Sequence, residues 1–95
     1  MPSDPYSDHI LGDWKFDPKK SKKDQFTWQR QATVKLHKDH HQLWTNPETF
    51  KVQKVYGEVV LRETKIIDKN TSGEQRFRSM ELTGNSKVED QIPTN

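Results

Sequence analysis

Between Phe26 and His37 the chain alternates. Phe26, Trp28, Arg30, Ala32, Val34 and Leu36 fall on one side; Thr27, Gln29, Gln31, Thr33, Lys35 and His37 fall on the other. Apart from Arg30, this separates apolar from polar at a period of two, the signature of a strand with one buried face. On a helix the same apolar positions would be smeared around the axis. The stretch therefore predicts an antiparallel-type strand, wet on one side and covered on the other by the rest of the fold. Twelve residues extend to roughly 40 Å, so a bend, a bulge or a division between two sheets is expected.

The flanking pattern supplies the partners. Ile10 to Phe16, anchored by Ile10, Leu11, Trp14 and Phe16, predicts a short first strand that Asp17-Pro18 ends. Lys38-Asp39-His40 closes the long strand, Gln42 to Thr45 begins the return, and Asn46-Pro47-Glu48 breaks it. Phe50 to Tyr56 alternates again, Gly57 suits a bulge or a sharp bend, and Glu58 to Ile67 predicts a further strand. Asp68 to Gly73 has the composition of a hairpin loop, and Glu74 to Thr83 returns along it with Phe77, Met80 and Leu82. The expected fold class is all-β: a small antiparallel meander of about five or six strands, curled into a barrel or a half-open sandwich. Residues 1–9 read as a flexible arm or the start of a very short helical turn. Residues 10–83 form a single β domain, and 84–95, with only Val88 and Ile92 as large apolar residues, a disordered tail.

Composition changes this picture in one respect: the core must be thin. Leu, Ile, Val and Phe number 19 of 95 residues, near the level at which disorder becomes a fair suspicion. The net charge of only +2 and the patterning argue against disorder over the whole length. The chain has no cysteine to staple a small core, and no apolar run approaches the length of a signal segment or a membrane span. A soluble, intracellular and cytoplasmic protein without membrane contact is expected. Asn70-Thr71-Ser72 matches the glycosylation sequon and, on that expectation, is a turn.

Charge is distributed unevenly. From Trp14 to Lys38 there are eight Lys or Arg against Asp17 and Asp24, a local +6, which leaves −4 for the remainder. A basic segment that also holds Trp14, Phe16, Phe26 and Trp28, with Trp44 just beyond, suits a polyanion, because lysines neutralise phosphates and exposed rings stack on bases. The candidate contacts are Lys19, Lys20, Lys22, Lys23, Arg30, Lys35 and Lys38, with Trp44 as the stacker. The competing explanation is that Phe26 and Trp28 are core and the Lys-Lys-Ser-Lys-Lys run is an ordinary solvated loop. His37, His40 and His41 surround Asp39, but successive strand positions point to opposite faces and a structural zinc site needs four convergent ligands. A polar turn explains them better, and no metal or other cofactor is expected. No nucleophile motif, zinc-protease motif or glycine-rich phosphate loop is present, and Glu58 and Glu63 fall on opposite faces of a strand, so an enzyme is not expected.

Gly12-Asp13-Trp14-Lys15-Phe16 resembles the G-x-W opening of the calycins, the lipocalin-like ligand-binding barrels, and the following Asp-Pro-Lys-Lys-Ser is similar to some bacterial lipocalin-like domains. The resemblance covers about ten residues and implies that Trp14 plugs one end of a barrel. Such a barrel needs eight strands around its cavity, more than this chain supplies. Two partner classes remain ahead of a lipocalin-like small-ligand binder. One is single-stranded nucleic acid or another polyanion on the basic face. The other is a protein partner, engaged by sheet-edge or sheet-face contact, in an interaction module or small subunit of a larger assembly. Arg30 serves either, through a phosphate or a partner carboxylate.

Overall fold

The computed structural model describes residues 5–91. The alternating stretch is a strand, β2 (Gln25–Leu36), and from Arg30 to Leu36 its even residues are buried or half-buried while its odd residues are exposed. Around it lie α1 (Asp8–Leu11), β1 (Lys15–Phe16), a single 3-10 turn (Lys38–His40), β3 (Gln42–Thr45), β4 (Val52–Asp68) and β5 (Glu74–Asp90). The strands form an antiparallel sheet in the order β1-β2-β4-β3, with β5 also paired to β4, and this path does not close into a barrel. Phe16 pairs with Trp28, and Trp44 with Gln53. No helix among the described residues is long and apolar enough to cross a membrane.

Three boundaries differ from those the sequence predicts, each for a local reason. Ile10 and Leu11 are adjacent apolar residues, and a strand would send one of them to water. Instead Ser7 O accepts from both their amides, and the resulting turn leaves Leu11 only 5% exposed. The first strand is thereby reduced to Lys15–Phe16. β4 runs unbroken through Gly57, which takes φ +82° and occupies the parity of buried Val55, Val59, Leu61 and Glu63. β5 continues to Asp90, past the expected boundary after Thr83. It is held there by side-chain hydrogen bonds and not by apolar burial: Glu58 accepts from Thr83 and Asn85, Tyr56 donates to Glu89, and Gln53 donates to Asp90. The expected arm and tail otherwise lie at 1–4 and 92–95, outside the described residues.

The described residues gather into two compact units, and β2, β4 and β5 contribute a segment to each. The aromatic unit comprises 5–32 and 61–79; its buried apolar residues are Leu11 and Leu61. The hairpin unit comprises 33–60 and 80–91; its counterparts are Val55 and Val59. The hairpin from β3 to β4 turns through Asn46, whose Oδ1 accepts from Glu48 N and Thr49 N while its carbonyl accepts from Phe50 N. That closure places Phe50 at φ +61°, a region costly for a bulky residue, with its ring 79% exposed.

Candidate nucleic-acid interface

The aromatic unit is built around a charge on its inner face. Arg30, the exception in the alternating pattern, is 6% exposed and meets Glu63, fully buried on β4, through Nε at 3.0 Å and a terminal nitrogen at 2.7 Å. Its other terminal nitrogen donates to Gly12 O at 3.1 Å and lies 2.8 Å from Asp8. Arg78 Nε donates to the second oxygen of Glu63 at 3.0 Å. Burial works to lower the Arg30 pKa, but the bonds to Asp8 and Glu63 outweigh it and hold the group above its ordinary value. Arg30 is therefore an internal ion-pair residue and not the phosphate contact expected from sequence. Its charge is met by Asp8, 22 positions earlier, and Glu63, 33 positions later in the chain.

Aromatic rings and further cations cover this pair. The Trp14 ring lies 4.4 Å from the Arg30 guanidinium, 4.5 Å from Lys65 Nζ and 5.6 Å from the Arg76 guanidinium. Lys65 also approaches Trp28 at 5.9 Å, and Lys69 lies 5.5 Å from the Phe26 ring. Such contacts hold a cation in place without neutralising it. Phe16, on the two-residue β1, packs edge-on against Trp28 with centroids 5.1 Å apart, yet is 44% exposed.

The basic loop is ordered by its own hydrogen bonds. Asp17 Oδ1 accepts from the amides of Lys19 and Lys20, its Oδ2 accepts from Gln29 Nε2, and its carbonyl accepts from Ser21 Oγ. Ser21 Oγ in turn accepts from Thr27 N, and Lys22 bridges to Gln25. The acid that precedes the lysine run is thus engaged by amide groups, Asp24 follows it directly, and Lys19, Lys20, Lys22 and Lys23 are all exposed. Asp24 O accepts from Lys69 N at 2.8 Å, which brings the end of the loop against β4 beside Lys69. The described residues of this unit carry eleven Lys and Arg against seven Asp and Glu, a net +4; those of the hairpin unit carry five against six, a net −1.

The remaining sequence candidates lie in the hairpin unit. Lys35 is exposed on the outward parity of β2, Lys38 lies 3.6 Å from Glu89 and 5.8 Å from the Tyr56 ring, and Trp44 is half-buried on β3. The four loop lysines stay together; these three do not join them in one unit. Lys65, Lys69 and Arg76 are cations of the ring layer that sequence reasoning did not single out. Lys65 lies on β4 and Lys69 in the turn just after it, and nothing in their spacing marks either as part of this surface. Among the histidines, His37 Nδ1 accepts from Asp39 N, and His41 Nδ1 lies 3.2 Å from Lys38 O, so the imidazoles serve the turn. Among the described residues no three His, Cys, Asp or Glu side chains converge as a metal site would require. In comparisons with known proteins, the chain matches no family model, no curated protein and no solved structure.

Proposed function

We propose that this is a non-catalytic binding module that takes single-stranded nucleic acid on its aromatic unit. The observation that carries the reading is the ordered loop that displays Lys19, Lys20, Lys22 and Lys23 while amide donors occupy Asp17. Lys65, Lys69 and Arg76 extend that cationic surface across the ring layer, and half-exposed Phe16 offers a face for one base. Trp14, already flanked by cations, positions them and does not stack. The lack of cysteine fits a reducing compartment inside the cell.

The test is substitution. Replacing the four loop lysines with glutamine weakens a labelled oligonucleotide strongly at low salt, and Phe16→Ala weakens it by about tenfold, the value of one stacked base. Unchanged affinity in both variants defeats the reading. A protein partner is the second reading, favoured by β5: among the described strands it pairs with β4 alone, and Phe77, Leu82 and Val88 are exposed along it. A strand edge of that length is where an extended segment of another chain can add.

A further inference from the structure

β3 ends the sheet path, so one of its two edges has no neighbour among the described strands. Which backbone groups lie on that edge follows from the hairpin. Asn46 N donates to Lys51 O at 2.8 Å, and an antiparallel ladder alternates inward and outward bonds, so Gln42 and Trp44 bond toward β4. The N–H and C=O groups of Leu43 and Thr45 therefore point away from β4.

The strand lacks the devices that keep a free edge from pairing. Gln42-Leu43-Trp44-Thr45 contains no charge and no proline, and its register with β4 runs without a bulge. By contrast β1 carries Lys15, β2 carries Arg30 and Lys35, and β5 carries charged residues along its length. That difference selects the occupant. A two-fold contact sets a strand against its own sequence, so a lysine-bearing edge opposes like charges and an uncharged one does not. The register adds apolar surface: Leu43, Thr45 and Val52 share the outward face, where Leu43 is 57% and Val52 43% exposed, while Trp44 lies on the other face with Val55.

We infer that β3 pairs antiparallel with β3 of a second copy of this chain, across a two-fold axis at Trp44. In that register Leu43 of each copy exchanges both backbone bonds with Thr45 of the other, so every outward group of those two residues is paired. The two Trp44 residues meet in the non-hydrogen-bonded position, where side chains stand closest. On the outward face Leu43 lies beside Thr45 of the second copy, with Val52 next in the row. Each chain has one such edge, so the assembly closes at two copies. A four-residue strand places it among the small, transient interfaces. Every residue involved belongs to the hairpin unit, so the inference stands or falls separately from nucleic-acid binding.

The test is sedimentation equilibrium of the full chain from about 10 μM to about 1 mM, with backbone amide shifts followed over the same dilution. The expected result is a mass that rises toward twice the monomer and no further, with concentration-dependent shifts centred on 42–46 and 52–55. Leu43→Lys brings a lysine from each copy toward the axis, and Thr45→Pro removes an outward N–H without removing a bond to β4. Both positions are exposed, so each variant keeps native amide dispersion, and its dimer is at least about tenfold weaker. Replacement of the four loop lysines of the aromatic unit leaves the dimer unchanged. A chain that is monomeric at the highest concentration, a mass that climbs past two copies, undiminished association of either natively dispersed variant, or shifts centred on β5 or on the aromatic unit overturns the inference.

Discussion

Replacing Glu63 with leucine strands a buried guanidinium. Glu63 is fully buried and accepts from Arg30 twice and from Arg78 once. Arg78 is half-exposed and can turn to water, but Arg30 retains only Gly12 O and the largely exposed Asp8. Removing one partner of a buried pair costs about 3–5 kcal/mol, because the other charge stays desolvated. Against a total of roughly 5–15 kcal/mol, and with Leu11 and Leu61 as the buried apolar residues of this unit, that is a large share. Urea unfolding followed by tryptophan fluorescence reads it: with a slope of about 1–1.5 kcal/mol per molar, the midpoint drops by roughly 2–5 M. Arg30→Met in the same chain removes the stranded charge, so the double variant Arg30→Met/Glu63→Leu recovers much of the loss. The coupling energy from the four proteins is then at least about 2 kcal/mol. A midpoint shift under roughly 0.5 M for Glu63→Leu, or a double variant that loses the sum of the singles, refutes the claim that this pair organises the unit.

Two further predictions concern the hairpin unit. Gly57→Ala combines a left-handed backbone angle of +82° with a 2.7 Å contact to Asn85 O, and should cost about 2 kcal/mol or more in the same urea assay, whereas Gly84→Ala, whose Cβ meets nothing within 4 Å, should cost far less. The Tyr56 pair sets a pH window. The hydrogen bond to Glu89 raises the Tyr56 pKa, and the bond from Tyr56 lowers the Glu89 pKa. A lowered carboxyl contributes stability above its unfolded pKa and loses it as pH falls through the folded value. A raised phenol contributes below its unfolded pKa of about 10 and loses it as pH rises through the folded value. The stability difference between wild type and Tyr56→Phe should therefore be flat across neutral pH and shrink at both the acid and the alkaline end; a difference that grows at either end contradicts the assignment.

Much of the fold is legible in the sequence, and the exceptions share a cause. The alternation in β2 identifies the strand to within one residue at each end, because burial on one face is a local property of period two. The extent of β5 is not legible that way. Its last third is polar, and its bonds run to Glu58, Tyr56 and Gln53, more than twenty positions earlier in the chain. The same distance hides the site. Arg30 looks like an exposed cation on an apolar face until Glu63, 33 positions later, is placed beside it. Lys65 and Arg76 meet over Trp14 only once β4 and β5 are folded. The loop lysines are readable because they are contiguous, and what the fold adds is the engagement of Asp17 by the amides of Lys19 and Lys20, which orders the loop that displays them.

The most direct test of the nucleic-acid reading is the salt dependence of a fluorescent single-stranded oligonucleotide titrated with wild type and with the protein whose four loop lysines are glutamine. Seven cations, the four of the loop with Lys65, Lys69 and Arg76, give a log–log slope of roughly −5 for single strands, so a fourfold rise in salt weakens binding about a thousandfold; the variant keeps three, with a slope of roughly −2. Saturable binding at low salt with those two slopes is the predicted result. No binding at low salt, or equal slopes for the two proteins, contradicts it and directs attention to a protein partner on β5.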